Sequence, residues 1–335
     1  MSGDEGRETT NTAAPVAQLE NEDLLADSFR RLPALPSSLL RASLVCKRWC
    51  RVISNPLFLR EFRAHHRKPP LLGFFSRNFL GSVEFTPALD PPDQIPASRF
   101  SLQIAGRGKV LHCHHGRVLI HCQKEQQLLV WDPITGELQH LAFPPELDGK
   151  IVSGGGVFCS SAEQGHQHGA CHSDPFKVVV VAEDRNRFYG CVYSSETRAW
   201  GNVLSIMRPG LTRVSPTCPS TLFSNSICLL LIGLRTAILE FDWGTQNQLA
   251  IIYLPLDREV SSDIIHGIFQ CLITRGDSGS LSFILLTGFS VLEWKTTSIN
   301  GDGVTTWMVG NTVDLRDLPS DHDQWGCGCG CAFCI

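Results

Sequence analysis

Apolar residues along this chain follow two periods, and the change from one to the other falls near residue 70. Ahead of it, Leu40, Leu44, Val45, Trp49, Val52 and Ile53 recur at steps of four, one, four, three and one, the period of a helix with one apolar face. Pro36 disfavours helix in the residue before it, and Ser37 and Ser38 are ready N-caps. The helix is therefore predicted to start near Ser38, behind an extended Leu-Pro-x-Leu-Pro lead. Asn55 and Pro56 read as the cap and first turn of a second helix, with Phe58, Leu59 and Phe62 on one face. Leu24, Leu25, Phe29 and Leu32 make a third amphipathic set upstream. Three short helices bury little by themselves, so a unit of this size needs a partner surface or a neighbouring domain.

Arg67-Lys68-Pro69-Pro70 breaks the helical pattern, and from Leu71 short apolar runs alternate with Gly, Pro, Asp and Ser, which marks a domain boundary. The proline-rich stretch from Thr86 to Ser98 reads as a surface loop of the second domain. From Phe100 to about Leu315 the chain reads as strand after strand. Leu128-Leu129-Val130-Trp131 runs into Asp132-Pro133-Ile134-Thr135-Gly136, a turn whose Pro fixes the entry and whose Gly can take a positive φ. The same order, an aromatic residue and then a polar turn, returns at Tyr193, Phe241 and Trp294. These positions lie roughly 50 to 60 residues apart, near the blade period of kelch-like propellers. No run resembles a long helix, which favours an all-β radial repeat over a doubly wound sheet. Strand spacing alone leaves a two-sheet sandwich open.

Composition narrows the function. The 335-residue chain is 43% hydrophobic and 19% charged, a globular balance. A net charge of −4 argues against a broad nucleic-acid face, which needs clustered positive charge. Arg60, Arg63, Arg67 and Lys68 gather at a helix end and read as a solvated face or partner rim. The N-terminal segment lacks the apolar core of a secretory signal, so a cytoplasmic or nuclear location is expected. Runs such as Ile227 to Leu234 are too short for a membrane span. In a reducing compartment the fourteen cysteines are expected to be mostly buried thiols.

The segment from Asn21 to Phe62 resembles the F-box, the helical module by which substrate receptors dock on the Skp-type adaptor of cullin-RING ubiquitin ligases. Asp23-Leu24-Leu25, Leu32-Pro33, Leu39-Leu40, Leu44-Val45-Cys46-Lys47-Arg48-Trp49 and Ile53-Ser54-Asn55-Pro56 carry the resemblance. It implies adaptor contacts from Leu24, Leu25, Leu32, Pro33, Leu39, Leu40, Leu44, Val45, Cys46 and Trp49. The opening departs from the family pattern: Glu20-Asn21 stand where Leu-Pro is common, and Asp27-Ser28 where an acidic residue and Ile are found.

Most of residues 70 to 315 resembles the propeller-like domain attached to F-boxes in plant, particularly grass, proteins. The residues that carry this are Leu129 to Pro133 with Thr135-Gly136, Gly165 to Gly169 with Cys171-His172, Pro175 to Val179, Val192 to Thr197 with Trp200-Gly201, and Ile238 to Asp242. Relatives of this type carry further strands where this chain runs into Trp325 to Cys331, so an incomplete last blade is expected. The fold class is thus α+β and multidomain: a disordered lead over 1–18, an F-box over 19–66, an all-β propeller-like domain over 67–318 and a Gly/Cys-rich tail over 319–335.

Three clusters invite metal chemistry. His112, His114, His115 and His121 with Cys113 and Cys122 offer imidazole and thiol, but alternation puts His112 and His114 on one strand face and Cys113 on the other. His166, His168, Cys171 and His172 share a Gly-rich loop. Neither cluster has an established zinc spacing. Cys327, Cys329, Cys331 and Cys334 are denser, yet single-residue spacings in a Gly-rich tail also fit a disordered end. Ala332 occupies the position where prenylation needs Cys. Gly276-Asp277-Ser278-Gly279 lacks the following helix of a nucleophile elbow, and no phosphate-cradling loop is present.

No cofactor, no metal and no catalytic set is expected. The reading that results is a non-catalytic substrate receptor, with a Skp-type adaptor, a cullin scaffold behind it and a protein target as partners. A propeller scaffold or decoy with weak adaptor binding is the rival reading, and a metal-dependent enzyme a more distant one.

Overall fold

The computed structural model describes residues 22–66, 70–77, 82–104, 107–114, 116–160, 174–223, 225–244, 247–275, 280–297, 306–317 and 333–334. The lead over 1–18, Glu20-Asn21, His115, the Gly165 to His172 loop, Gly276 to Gly279 and Cys327, Cys329 and Cys331 lie outside the described residues. The chain divides into two compact units. The first holds the four helices that precede residue 67 and the segment Ala88–Ile95, and the second holds the sheets and one short helix.

In the first unit α1 spans Glu22–Arg30, α2 Pro36–Ser43, α3 Lys47–Ile53 and α4 Pro56–His66. The single helix expected from Ser38 to Ile53 is two helices. Leu44 closes α2 in a right-handed helical turn, with its N–H on the carbonyls of Arg41 and Ala42, and Cys46 is fully extended at φ −160° and ψ 163°. A step of one in the apolar pattern, at Leu44-Val45, fits a turn between helices as well as it fits one helical face, so periodicity could not see the break. Helix α2 also begins earlier than expected. Pro36 takes the first helical position, where a missing N–H costs nothing, and Leu35 is an N-cap that supplies no side-chain bond. The free amide of Ser37 is instead met by Asp93 Oδ1 at 2.7 Å. The loop expected to belong wholly to the second domain thus contributes Ala88–Ile95 to the helical unit. At α4 the Asn55-Pro56 reading holds, with Leu57 N–H on Asn55 Oδ1 at 2.9 Å.

The helical core is Leu25, Phe29, Ile53, Phe58 and Phe62, with Leu32, Leu39, Trp49 and Leu59 packed partly against it. Phe29 sits edge-on to Trp49 at 5.0 Å between ring centroids, a geometry aromatic quadrupoles favour.

The second unit holds twenty-one described strands in five sheets. Strands β3 (Gly108–His114), β4 (Arg117–Cys122), β5 (Gln127–Trp131) and β6 (Leu138–Ala142) form one antiparallel sheet in chain order. Strands β7 (Ile151–Cys159), β8 (Phe176–Glu183) and β9 (Arg187–Ser194) form the next, and its outer edge is shared by the short β10 (Ala199–Trp200) and β11 (Leu204–Met207). In the third, β12 (Arg213–Val214) and β13 (Thr221–Leu222) share one edge of β14 (Ser226–Ile232), followed by β15 (Ala237–Asp242) and β16 (Gln248–Tyr253). Strands β17 (Gln270–Arg275), β18 (Leu281–Thr287), β19 (Ser290–Thr297) and β20 (Thr306–Asp314) complete the fourth.

This last sheet has its four strands. The three-stranded sheet is the one that joins the two ends of the unit: β1 (Gly73–Arg77) pairs with β2 (Val83–Pro87) on one side and with β21 (Phe333–Cys334) on the other. The incomplete blade is this three-stranded one, which takes in the last described strand of the chain.

Why the sheets stack in sequence can be read from strand alternation. Side chains on a strand point to opposite faces in turn. In β8, Val178, Val180 and Ala182 pack with Leu111, Leu119 and Val130 of the preceding sheet, while Val179 and Val181 pack with Ile227, Leu229 and Leu231 of the following one. In β14, Cys228, Leu230 and Ile232 turn onward to Ile273, Phe283 and Leu285. A strand covered on both faces must be apolar throughout, and that is why these runs read as continuous. The four aromatic markers, Trp131, Tyr193, Phe241 and Trp294, each lie on the third strand of a sheet, before the turn into the fourth. The propeller-like repeat, and not the sandwich, is the architecture. One further short element, helix α5 (Arg258–Ile265), was not expected; Asp257 caps it through Val260 N–H at 2.8 Å.

Candidate functional site

The strongest candidate is the apolar surface of the helical unit. Leu40, Leu44 and Val45 are 61%, 77% and 62% exposed, and Leu24 is exposed as well. Pro33 and Cys46 are exposed, whereas Leu32, Leu39 and Trp49 are half-buried. These three divide their surface between the helical core and the outside. Leu25 is a correction: at 1% exposure it is a core residue with no face left for a partner. It follows Leu24 directly, and on a helix adjacent residues are about 100° apart, so one of the pair points in and the other out.

The break between α2 and α3 builds the site. Because Leu44 ends one helix and Cys46 precedes the next, Leu44, Val45 and Cys46 sit on a turn with little cover from either. Exposed Leu35 and Leu57 were not singled out in the sequence, although Leu57, one residue after a helix-opening proline, carries the signal. Around the apolar residues, Arg30 pairs with Asp27 at 3.0 Å and Glu61 at 2.6 Å, and Arg31 pairs with Asp27 at 2.9 Å. Exposed pairs of this kind contribute about 0.2 to 1 kcal/mol each, so they orient the helices more than they stabilise them.

In the second unit His112 and His114 share a face, with ring centroids 5.6 Å apart, as alternation implied. Burial, and then the charge of His114, lowers His112 to about 3. Burial, and then Lys109, lowers His121 to about 4. Both rings are neutral at physiological pH. Among the described residues no three His, Cys, Asp or Glu side chains converge on a point. Nine of the described cysteines are free thiols; five are buried, and Cys46 and Cys50 are exposed. Burial pushes Cys191 and Cys271 up to about 12, far from a reactive thiolate.

A cleft of about 660 Å³ lies between the sheets of β3–β6 and β7–β11, lined in part by Arg117, Glu137, His140, Asp174 and Arg198. Arg117 is fixed there, with its guanidinium 5.0 Å from the Phe176 ring and Nη2 donating to the Asp174 carbonyl at 2.8 Å. Asp132, at the cleft wall, receives the amides of Ile134 and Thr135 on Oδ1 at 2.9 and 3.1 Å, and so serves the turn. Among the described residues no helix is long and apolar enough to cross a membrane.

The F-box-like family matches residues 22–63, and the chain carries an F-box-like domain there. A curated protein, "Putative F-box only protein 9" of Arabidopsis thaliana, is 30% identical over 135 residues, which cover 36% of this chain and 33% of that protein. The chain thus spans about a third of the length of the curated relative it matches. Among solved structures, KlHsv2 with loop 6CD replaced by a Gly-Ser linker aligns at a TM-score of 0.43 and 11% identity, covering 72% of this chain and 69% of that one. The Dos1 propeller aligns at 0.38 and 12%, covering 66% and 52%.

Proposed function

We propose that this chain is a substrate-recognition subunit of a cullin-RING, SCF-type ubiquitin ligase, working in the cytoplasm or nucleus. The observation that carries the reading is the F-box-like match over residues 22–63 on a unit that leaves Leu40, Leu44 and Val45 in solvent. Each large apolar side chain moved from water into an interface contributes about 1.5 to 3 kcal/mol when fully buried, so three of them, one on α2 and two on the turn that follows it, favour a partner surface. The Skp-type adaptor is that partner, and the sheet unit presents the target. The receptor supplies proximity, raising the effective concentration of target lysines at the ligase, while the ubiquitin chemistry belongs to the partner enzymes.

Co-purification of the tagged chain with a Skp-type adaptor tests the reading. Wild type should retain the adaptor. Leu44→Asp, which puts a charge where the interface would be dry, should weaken retention at least about tenfold, or ~1.4 kcal/mol, without lowering the melting temperature of the free chain. A wild-type chain that retains no adaptor would sink the proposal.

A further inference from the structure

Three adjoining loops at one end of the second and third sheets form a surface that the sequence did not disclose. They are the β8–β9 turn, the connection from Met207 to Arg213, and the β14–β15 turn. The middle loop ties the other two together. Arg208 N–H donates to the Asn186 carbonyl at 2.8 Å and Arg208 Nη1 to the Asp184 carbonyl at 2.8 Å, while Thr212 lies so close to Gly233 that a Cβ there would be 2.8 Å from its methyl. On this ridge Met207, Leu211 and Leu234 are 61%, 92% and 83% exposed. Ile151, paired with Glu183 at the head of the turn, is exposed too.

The charge of the same loops is one-sided. Residues 184–187, 207–213 and 233–236 hold five arginines, Arg185, Arg187, Arg208, Arg213 and Arg235, against one carboxylate, Asp184. That carboxylate is engaged by Lys150 at 3.1 Å and by the Tyr189 hydroxyl at 2.7 Å. Glu183, just outside, faces Arg208 at 3.4 Å. Arg185, Arg213 and Arg235 are exposed, and among the described residues none of them has a carboxylate partner. Arg235 rests on the Tyr253 ring at 4.4 Å. The positive balance is local, on a chain whose net charge is −4.

We infer that this ridge docks an acidic peptide segment with large apolar side chains, presented by the target protein. Exposed leucine and methionine supply area, and unpaired arginines select carboxylates and reject basic segments through like-charge cost. The inference rests on the receptor reading above and names the chemistry of its substrate.

A membrane-bound array of short peptides, with acidic content and Leu/Phe content varied independently over a neutral background, is probed with the purified full chain. Peptides rich in both should be retained, with binding that falls as salt rises. The triple variant R185E/R213E/R235E should lose them about tenfold and take up Lys-rich spots instead, and Leu211→Ser with Leu234→Ser should weaken retention with no change in charge preference. Unchanged melting temperatures show that these exposed substitutions leave the fold intact.

Retention indifferent to acidic content, retention unchanged in the triple variant, or no peptide retained would each overturn the inference. So would sedimentation with phosphatidylserine vesicles unaccompanied by peptide selectivity, which assigns the ridge to an anionic membrane. Leu44→Asp run on the same array separates the two readings: loss of adaptor with the peptide pattern intact breaks docking on the ligase alone, and the converse breaks target recognition alone.

Discussion

The helical and sheet units treat the same kind of residue in opposite ways. In β14 every residue from Ser226 to Ile232 is buried, Cys228, Leu230 and Ile232 against one neighbouring sheet and Ile227, Leu229 and Leu231 against the other. In the helical unit five side chains make the core, and Leu40, Leu44 and Val45 remain in solvent. A stack of sheets provides each strand with two covered faces. Four short helices cannot, because a unit this small has too little volume for its surface. What the comparison teaches is where unsatisfied apolar area resides: in the helical unit on the end of α2 and the turn that follows it, and in the sheet unit at loop ends such as Leu211 and Leu234 and on the outer strand β20, at Met308 and Val309.

The largest effect should come from emptying the sheet unit between two sheets. Phe241 is buried with Phe188 and Val181 of the preceding sheet, and its ring lies within 2.8 Å of where a side chain on Gly190 would begin. Phe241→Ala should cost about 3 to 5 kcal/mol, measured by urea denaturation of the free chain, and should leave adaptor retention unchanged at temperatures where the sheets stay folded. Loss of adaptor binding under those conditions would mean that the two units are not energetically separate.

Acid should come next. His112 and His121 are lowered to about 3 and about 4 from the ordinary 6.5, chiefly by burial. Between those values and 6.5 the unfolded chain takes up protons that the folded chain refuses. The stability these rings contribute is thus complete above about pH 6.5 and is lost as pH falls toward 4 and then 3. At about 1.4 kcal/mol per pKa unit, the loss from His121 alone should be on the order of 3 to 4 kcal/mol. His121→Leu should flatten the pH profile of the denaturation midpoint. A profile identical to wild type would show that the buried ring is not the source.

Much of this architecture was legible beforehand because each reading rested on a local rule. Asn55-Pro56 opens α4 as capping chemistry requires, and Trp131, Tyr193, Phe241 and Trp294 mark the third strand of four sheets. The failures share a cause as well. The split between α2 and α3 depends on the backbone of Cys46, and the capping of Ser37 depends on Asp93, fifty-six residues away. Leu25 could not be told from Leu24 without knowing which side of α1 faces Phe58. Helix α5 was missed although Asp257 ahead of Val260 and Ile264 is a cap before an i, i+4 pair. The arginine ridge was invisible because its three loops are separated in sequence and meet only through the sheet order.

The smallest effect sharpens the comparison most, since it concerns how the sheet unit fastens its outer edges. Trp200, on the outer edge of the second sheet, donates Nε1–H to the carbonyl of Ala142 at the end of β6 at 2.8 Å. Trp307, in β20, does the same to Tyr253 at the end of β16 at 2.9 Å. In each case an outer strand is fastened to the outer strand of the sheet before it. Trp200→Phe keeps most of the ring and removes the donor, so it should cost about 0.5 to 1.5 kcal/mol, the net contribution of one such bond. Trp307→Phe should cost the same, and the double variant should cost the sum, because sites with no shared partner add within about 0.5 kcal/mol. Urea denaturation of the free chain measures all three. If Trp200→Phe cost nothing while Trp200→Ala cost several kcal/mol, the ring's packing and not its hydrogen bond would be what holds the sheet edges together.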